Sequence, residues 1–265
     1  MNCLIMPNTE NYTQNSEQPE KKRYYEPAPQ DIDVEQFKKV VESRRSVRKF
    51  TDKPIPEDVL DACLDLALLA PNSSNLQPWT FYVVQDPDKK QQLIKACMSQ
   101  LAAKTASELI VCVARTDRID EMAKRNVNEF PFPEAPPAIK KYYKYIPYNY
   151  KTGYLNAFGN FKKVAFKVAR SLDKQMPVSA FSPADAKLWA SKTTALACEN
   201  LVLALRAYSF DSCMMEGFDE PMVRQILELN DQQYPIMVIA AGERAKDGVF
   251  FPQYRFDREL FIQKV

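Results

Sequence analysis

The chain has 265 residues, 36 Lys and Arg against 34 Asp and Glu, no histidine and only 5 glycines. The missing histidine excludes Ser-His-Asp and Cys-His nucleophiles, imidazole metal ligands and any side chain that titrates naturally near neutrality. Average usage would supply roughly 19 glycines, and neither a Rossmann nor a Walker spacing occurs. The net charge of +2 offers no global attraction to nucleic acid or to an anionic membrane, so neither partner is expected and any basic site must be local.

Residues 1–30 are rich in Asn, Gln, Glu and Pro and are expected to form a flexible arm ahead of one domain over 31–265. The opening has no charged and apolar leader pattern. Cys3, Cys63, Cys97, Cys112, Cys198 and Cys213 are scattered, as expected of buried thiols in a reducing cytoplasm. Asp33 opens a first helix with Val34, Phe37, Val40 and Val41 at helical spacing. Pro54 and Pro56 precede a second, whose apolar face carries Leu60, Cys63, Leu64 and Ala67. A strand is expected at Trp79–Val84, an amphipathic helix at Asp88–Ala103 and a buried strand at Leu109–Ala114. From 130 to 166, prolines, tyrosines and lysines interleave, which reads as a lid-like excursion of short helices. Ser182-Pro183-Ala184-Asp185 resembles a capping box. It opens the longest helix, to about Tyr208, with Ala190, Ala197, Leu201 and Leu205 facing a core. Strands at Ser212–Met215 and Ile236–Ala241 flank a helix near Pro221–Leu229. Strands and helices do not alternate regularly, so the class is α+β.

Four segments carry polar chemistry. In Arg44-Arg45-Ser46-Val47-Arg48-Lys49-Phe50, extended backbone puts Arg44, Ser46 and Arg48 on one face, with Arg45 and Lys49 directed elsewhere. Two guanidinium groups and a hydroxyl suit a phosphate; a solvated basic helix end is the plainer alternative. Ala70-Pro71-Asn72-Ser73-Ser74-Asn75-Leu76-Gln77-Pro78-Trp79 is dense in short hydrogen-bonding side chains, and would equally suit an ordinary turn-rich loop. Met215-Glu216-Gly217-Phe218-Asp219 follows a strand, where free backbone N–H groups can face a ligand. Gly242-Glu243-Arg244 follows the last strand, with a glycine that permits close approach and a further cation.

Taken together and in order, these segments resemble the FMN-dependent nitroreductase family from about Asp33 to Phe261. The resemblance implies an α+β homodimer, with a central mixed or antiparallel sheet surrounded by helices and active sites at the interface. It implies that Arg44, Ser46 and Arg244 bind the FMN phosphate, with Arg45 beside them. Arg48 would sit by N1 and the C2 carbonyl of the flavin. Pro71, Asn72, Ser73 and Asn75 would reach in from the partner chain. Met215, Glu216 and Gly217 would form the turn whose N–H groups face N5, Gln100 would lie near the pyrimidine edge, and Gly242 would allow the backbone to come close. Met214 stands where many relatives have proline, which leaves the path of that turn open. The implied activity passes hydride from NADH or NADPH through FMN to a nitroaromatic, quinone or similar conjugated acceptor, in ping-pong order. A flavin-binding protein without turnover, for storage or regulation, is the alternative.

Overall fold

In the computed structural model of the chain, residues 26–265 are described. Cys3 and most of the expected arm lie outside them. Four strands form one sheet, β1 (Trp79–Val83), β2 (Glu108–Arg115), β3 (Asp211–Met215) and β4 (Gln233–Gly242), in the spatial order β1-β2-β4-β3. Each neighbouring pair is antiparallel, so the expected mixed or antiparallel sheet is antiparallel. Alternation along the strands explains the layering. Leu109, Val111 and Val113 of β2, Cys213 and Met215 of β3, and Val238 and Ala240 of β4 share one core. It is closed by α3 (Pro87–Ala96), α4 (Leu101–Thr105) and α9 (Glu220–Leu227). Ile110 and Cys112 with Met237, Ile239 and Ala241 face the other core. That core is closed by α2 (Glu57–Leu68) and α8 (Pro183–Ala207). A strand covered on both faces has no solvent side, and this is why β2 reads as a continuous apolar run.

The helix boundaries follow local chemistry. Asp33 caps α1 (Val34–Ser43), accepting from the Glu35 and Gln36 N–H groups at 3.0 Å. Ser182 caps α8 by accepting from the Asp185 N–H, with Pro183 in the first turn. The expected helix over 88–103 is two helices. Cys97 ends α3, and Met98 and Ser99 turn the chain with φ of +56° and +52°. The Met98 N–H donates to the Lys95 carbonyl and the Ser99 N–H to the Ile94 carbonyl, a Schellman-type closure built without glycine. The break lets Leu93, Cys97, Ala102 and Ala103 enter the same core, which one straight helix could not do.

The excursion expected over 130–166 begins earlier and ends later in the structure, at 119–171, and comprises α5 (Ile119–Asn128), α6 (Pro137–Tyr145), a 3-10 turn (Ile146–Asn149), a second (Tyr154–Asn156) and α7 (Ala157–Ser171). It has a small core of its own, in which Ile119, Ala123 and Ile146 pack on Leu76. No helix among the described residues is long and apolar enough to cross a membrane.

Candidate functional site

Arg44 leaves α1 in extended conformation (φ −63°, ψ 131°). Ser46 bridges to Ser212 at the start of β3, and the Val47 N–H donates to the Ser212 carbonyl at 3.0 Å. The Arg48 N–H donates to the Gly248 carbonyl at 2.7 Å. These bonds fix an extended segment in which Val47 and Phe50 are buried, while Ser46 and Arg48 remain exposed. Above it lies a cavity of about 370 Å³, lined by Arg44, Arg45, Ser46 and Arg48 and closed by residues 249–255. Arg255 adds a fourth guanidinium, and among the described residues no carboxylate lines the cavity. Arg45 therefore faces the cavity rather than away from it, because its guanidinium donates to the Phe251 carbonyl. Lys49 does point away, paired with Asp247 at 2.7 Å. Arg48 donates from Nη1 to Sγ of Cys213 at 3.3 Å. Burial pushes the Cys213 thiol up, and Arg48 partly offsets it.

Arg244 does not join this group. Its guanidinium donates to both oxygens of Asp211, and its Nη2 also donates to the Ser43 carbonyl at 3.3 Å. Asp211 is only 3% exposed and accepts from Arg206 at 2.8 Å as well. A buried carboxylate must be paired, and that need holds Arg244 where the sequence suggested a phosphate contact. Gly242 is likewise buried, with room only for the Phe50 side chain; a Cβ there would lie 3.2 Å from it. Met215 is a core residue. Glu216 and Gly217 are exposed beyond the end of β3, and Gln100 donates from Nε2 to the Gly217 carbonyl at 3.0 Å. Asp219 then caps α9. Thus Gln100 and the turn meet each other just beyond the end of β3, the strand that also carries Cys213, the partner of Arg48.

The 71–77 loop belongs to a different surface. Ser74, Asn75 and Gln77 have φ of +60°, +47° and +43°. Such backbone costs about 1–2 kcal/mol per residue, less for Asn. Neighbours hold it. The Gln77 N–H donates to Oδ1 of Asn72 at 2.9 Å. Oγ of Ser74 lies 2.6 Å from the Tyr142 hydroxyl and Oγ of Ser73 lies 3.3 Å from that of Tyr150. Asn126 of α5 both accepts from Nδ2 of Asn75 and donates to its carbonyl. Leu76, 1% exposed, is the plug between the loop and the lid core.

Pro71, Asn72 and Ser73 line a second cavity of about 740 Å³ with Tyr150, Phe181, Trp189 and other side chains. Tyr150 and Trp189 stack with centroids 4.0 Å apart. One wall, at 178–181, is held by Lys162, which is buried and donates to the carbonyls of Tyr148, Asn149 and Ala180. Burial pushes the Lys162 amine down, with Asp185 acting in the opposite direction; three carbonyl partners match its three donors. The two cavities share no lining residue. Within one chain, the arginine group and the 71–75 loop are therefore not brought together. Arg255, Asn126 and Lys162 were missed from the sequence: none falls in a local motif, and each is recruited by tertiary contact.

The sequence model described as Nitroreductase family matches residues 41–243. A protein of Thermus thermophilus named NADH dehydrogenase is 30% identical over 219 residues, which cover 83% of this chain and 91% of that protein. A solved nitroreductase family protein from Streptococcus pneumoniae superposes with a TM-score of 0.64 at 23% identity, covering 86% of this chain and all of the other. A structure from Exiguobacterium sibiricum, solved in complex with FMN, superposes with a TM-score of 0.61 at 20% identity, covering 86% and 97%.

Proposed function

The chain belongs to the nitroreductase family, and from that premise we propose an FMN-dependent oxidoreductase that uses NADH or NADPH to reduce a nitroaromatic, quinone or similar conjugated acceptor. The observation that carries this reading is the arginine cavity. Four guanidinium groups and the hydroxyls of Ser46 and Tyr254, with no carboxylate among the described lining residues, fit a phosphate monoester, where charge-assisted hydrogen bonds are strongest. The FMN bound by a relative of the same fold supplies such a group.

FMN held here would supply hydride chemistry between the nicotinamide and the acceptor, with the two substrates using the site in turn. The protein's work is binding, orientation and electrostatics. Arg44, Arg45, Ser46 and Arg255 would hold the phosphate. Arg48, steadied by Cys213, is the cation available to negative charge developing on the reduced ring. The exposed Glu216–Gly217 turn, tethered by Gln100, would direct backbone N–H groups toward the ring. None of these tasks needs a titrating base, which is consistent with a chain that has no histidine.

A homodimer completes the reading. Pro71, Asn72 and Ser73 line a cavity separate from the arginines, so the contribution of the 71–75 loop would be made to the partner's FMN. Apolar side chains left open on α1, α2 and α8, including Phe37 at 58%, Leu68 at 46% and Leu188 at 69% exposure, form the type of surface a two-fold interface buries. The test is turnover. Flavin-loaded protein is mixed with NADH or NADPH and a panel of quinones and nitroarenes, and acceptor-dependent oxidation of the nicotinamide is expected. Bound flavin without oxidation by any acceptor would instead favour a storage or regulatory protein.

A further inference from the structure

Asn126 is the one lid side chain that grips the 71–77 loop at both backbone and side chain. Its Oδ1 accepts from Nδ2 of Asn75 at 2.7 Å and from the Tyr143 hydroxyl at 3.1 Å. Its Nδ2 donates to the Asn75 carbonyl and to the Met122 carbonyl, both at 2.8 Å. An amide offers two donors and two acceptor sites, so every position on Asn126 is used. The Met122 bond ties the amide to the preceding turn of α5, and the Tyr143 bond ties it to α6. The remaining two close on Asn75, whose backbone is left-handed.

We propose that Asn126 is a positioning residue that holds the 72–77 loop in its flavin-facing shape, so that the lid sets how tightly the neighbouring FMN is bound. Ser74, Asn75 and Gln77 are all left-handed, at greater cost for Ser74 and Gln77 than for Asn75, and a strained turn persists only where its neighbours over-determine it. Here the neighbours belong to the excursion: Asn126 on α5, Tyr142 on α6, and the Leu76 contact with Ile119 and Ala123. A lid that moves without releasing Asn75 must carry the loop with it. This inference rests on the reading that the 71–75 loop contacts FMN.

Two substitutions separate the possibilities. Asn126→Asp keeps the size but turns both donors into acceptors facing the Asn75 and Met122 carbonyls. Tyr143→Phe removes one bond to Asn126 and leaves both of its bonds to Asn75. Amide exchange in the flavin-free protein reads the loop directly, because the Leu76 and Gln77 N–H groups are bonded only within it. Asn126→Asp is expected to speed exchange at Leu76 and Gln77, to raise the FMN dissociation constant at least tenfold, and to leave kcat at saturating FMN within about twofold; Tyr143→Phe changes each far less. Asn126→Ala gives a second variant should the aspartate impair folding. Asn72→Ala and Ser73→Ala, measured alongside, test the underlying reading. If they weaken FMN binding and both Asn126 variants do not, the positioning role is overturned and the loop assignment survives. If none of the four alters FMN affinity, both fall. A lowered melting temperature with unchanged FMN affinity makes Asn126 merely structural and also overturns the inference.

Discussion

Arginine residues of the same type serve two ends in this protein, and burial decides which. Arg44, Arg45, Arg48 and Arg255 surround a cavity without carboxylates, where their charge is available to a ligand. Arg244 is spent on Asp211, which is 3% exposed and shared with Arg206. The two groups should therefore fail differently. Arg44→Ala or Arg255→Ala is expected to weaken FMN binding by about 1.5–3 kcal/mol, one charge-assisted contact each, with little change in the stability of the flavin-free protein. Arg244→Ala should instead lower that stability, by about 1.5–3 kcal/mol, because a buried carboxylate loses its two-pronged partner; denaturant titration of the flavin-free protein distinguishes them. Equal loss of FMN affinity in Arg244→Ala and Arg255→Ala at unchanged stability would return Arg244 to the ligand.

Elements end here with left-handed residues where glycine is the usual solution. Glu228 closes α9 with φ +54°, and its ion pair to Lys89 at 3.9 Å is exposed and worth little. Glu228→Gly should raise stability by up to about 1 kcal/mol, read as a higher denaturation midpoint. In the excursion, α5 and α6 are joined to the 71–77 loop by side-chain bonds from Asn126 and Tyr142. If the loop binds FMN, linkage requires FMN to stabilise those bonds in return. Added FMN should slow amide exchange in α5 and α6 of the wild-type protein, and this protection should shrink in Asn126→Asp. Unchanged exchange in both helices would mean that loop and lid are uncoupled.

At the scale of the whole molecule, the sheet and its two covers were legible in the sequence because burial writes a pattern. All four strands were placed to within a few residues, and the caps at Asp33 and Ser182 were read from their side chains. The break at Met98–Ser99 was not legible, since neither residue is a helix breaker and the turn is imposed by packing Ala102 and Ala103 into the core of Leu93. The arginine group around the cavity was legible in its contiguous part, Arg44 to Arg48. Arg255 was not, because it arrives from a segment with no periodicity, and Arg244 misled because Asp211 lies 33 residues away in sequence. The five described cysteines are all buried. Burial pushes Cys63 and Cys97 up to about 11. These acids have raised folded values, so their contribution is full below the unfolded thiol value of about 8.5 and is lost as pH rises toward 11. Stability is expected to fall over that alkaline range, and Cys63→Ala with Cys97→Ala should flatten the fall. The arginine cavity, as the proposed phosphate end of an FMN site shared between two chains, is the feature to test first. The most direct test is FMN titration of the flavin-free protein, followed by anaerobic addition of NADH or NADPH. The expected result is one FMN per chain on a dimer, bleached by the nicotinamide and lost in Arg44→Ala and Arg255→Ala. No FMN uptake, or uptake unchanged by both substitutions, would contradict it.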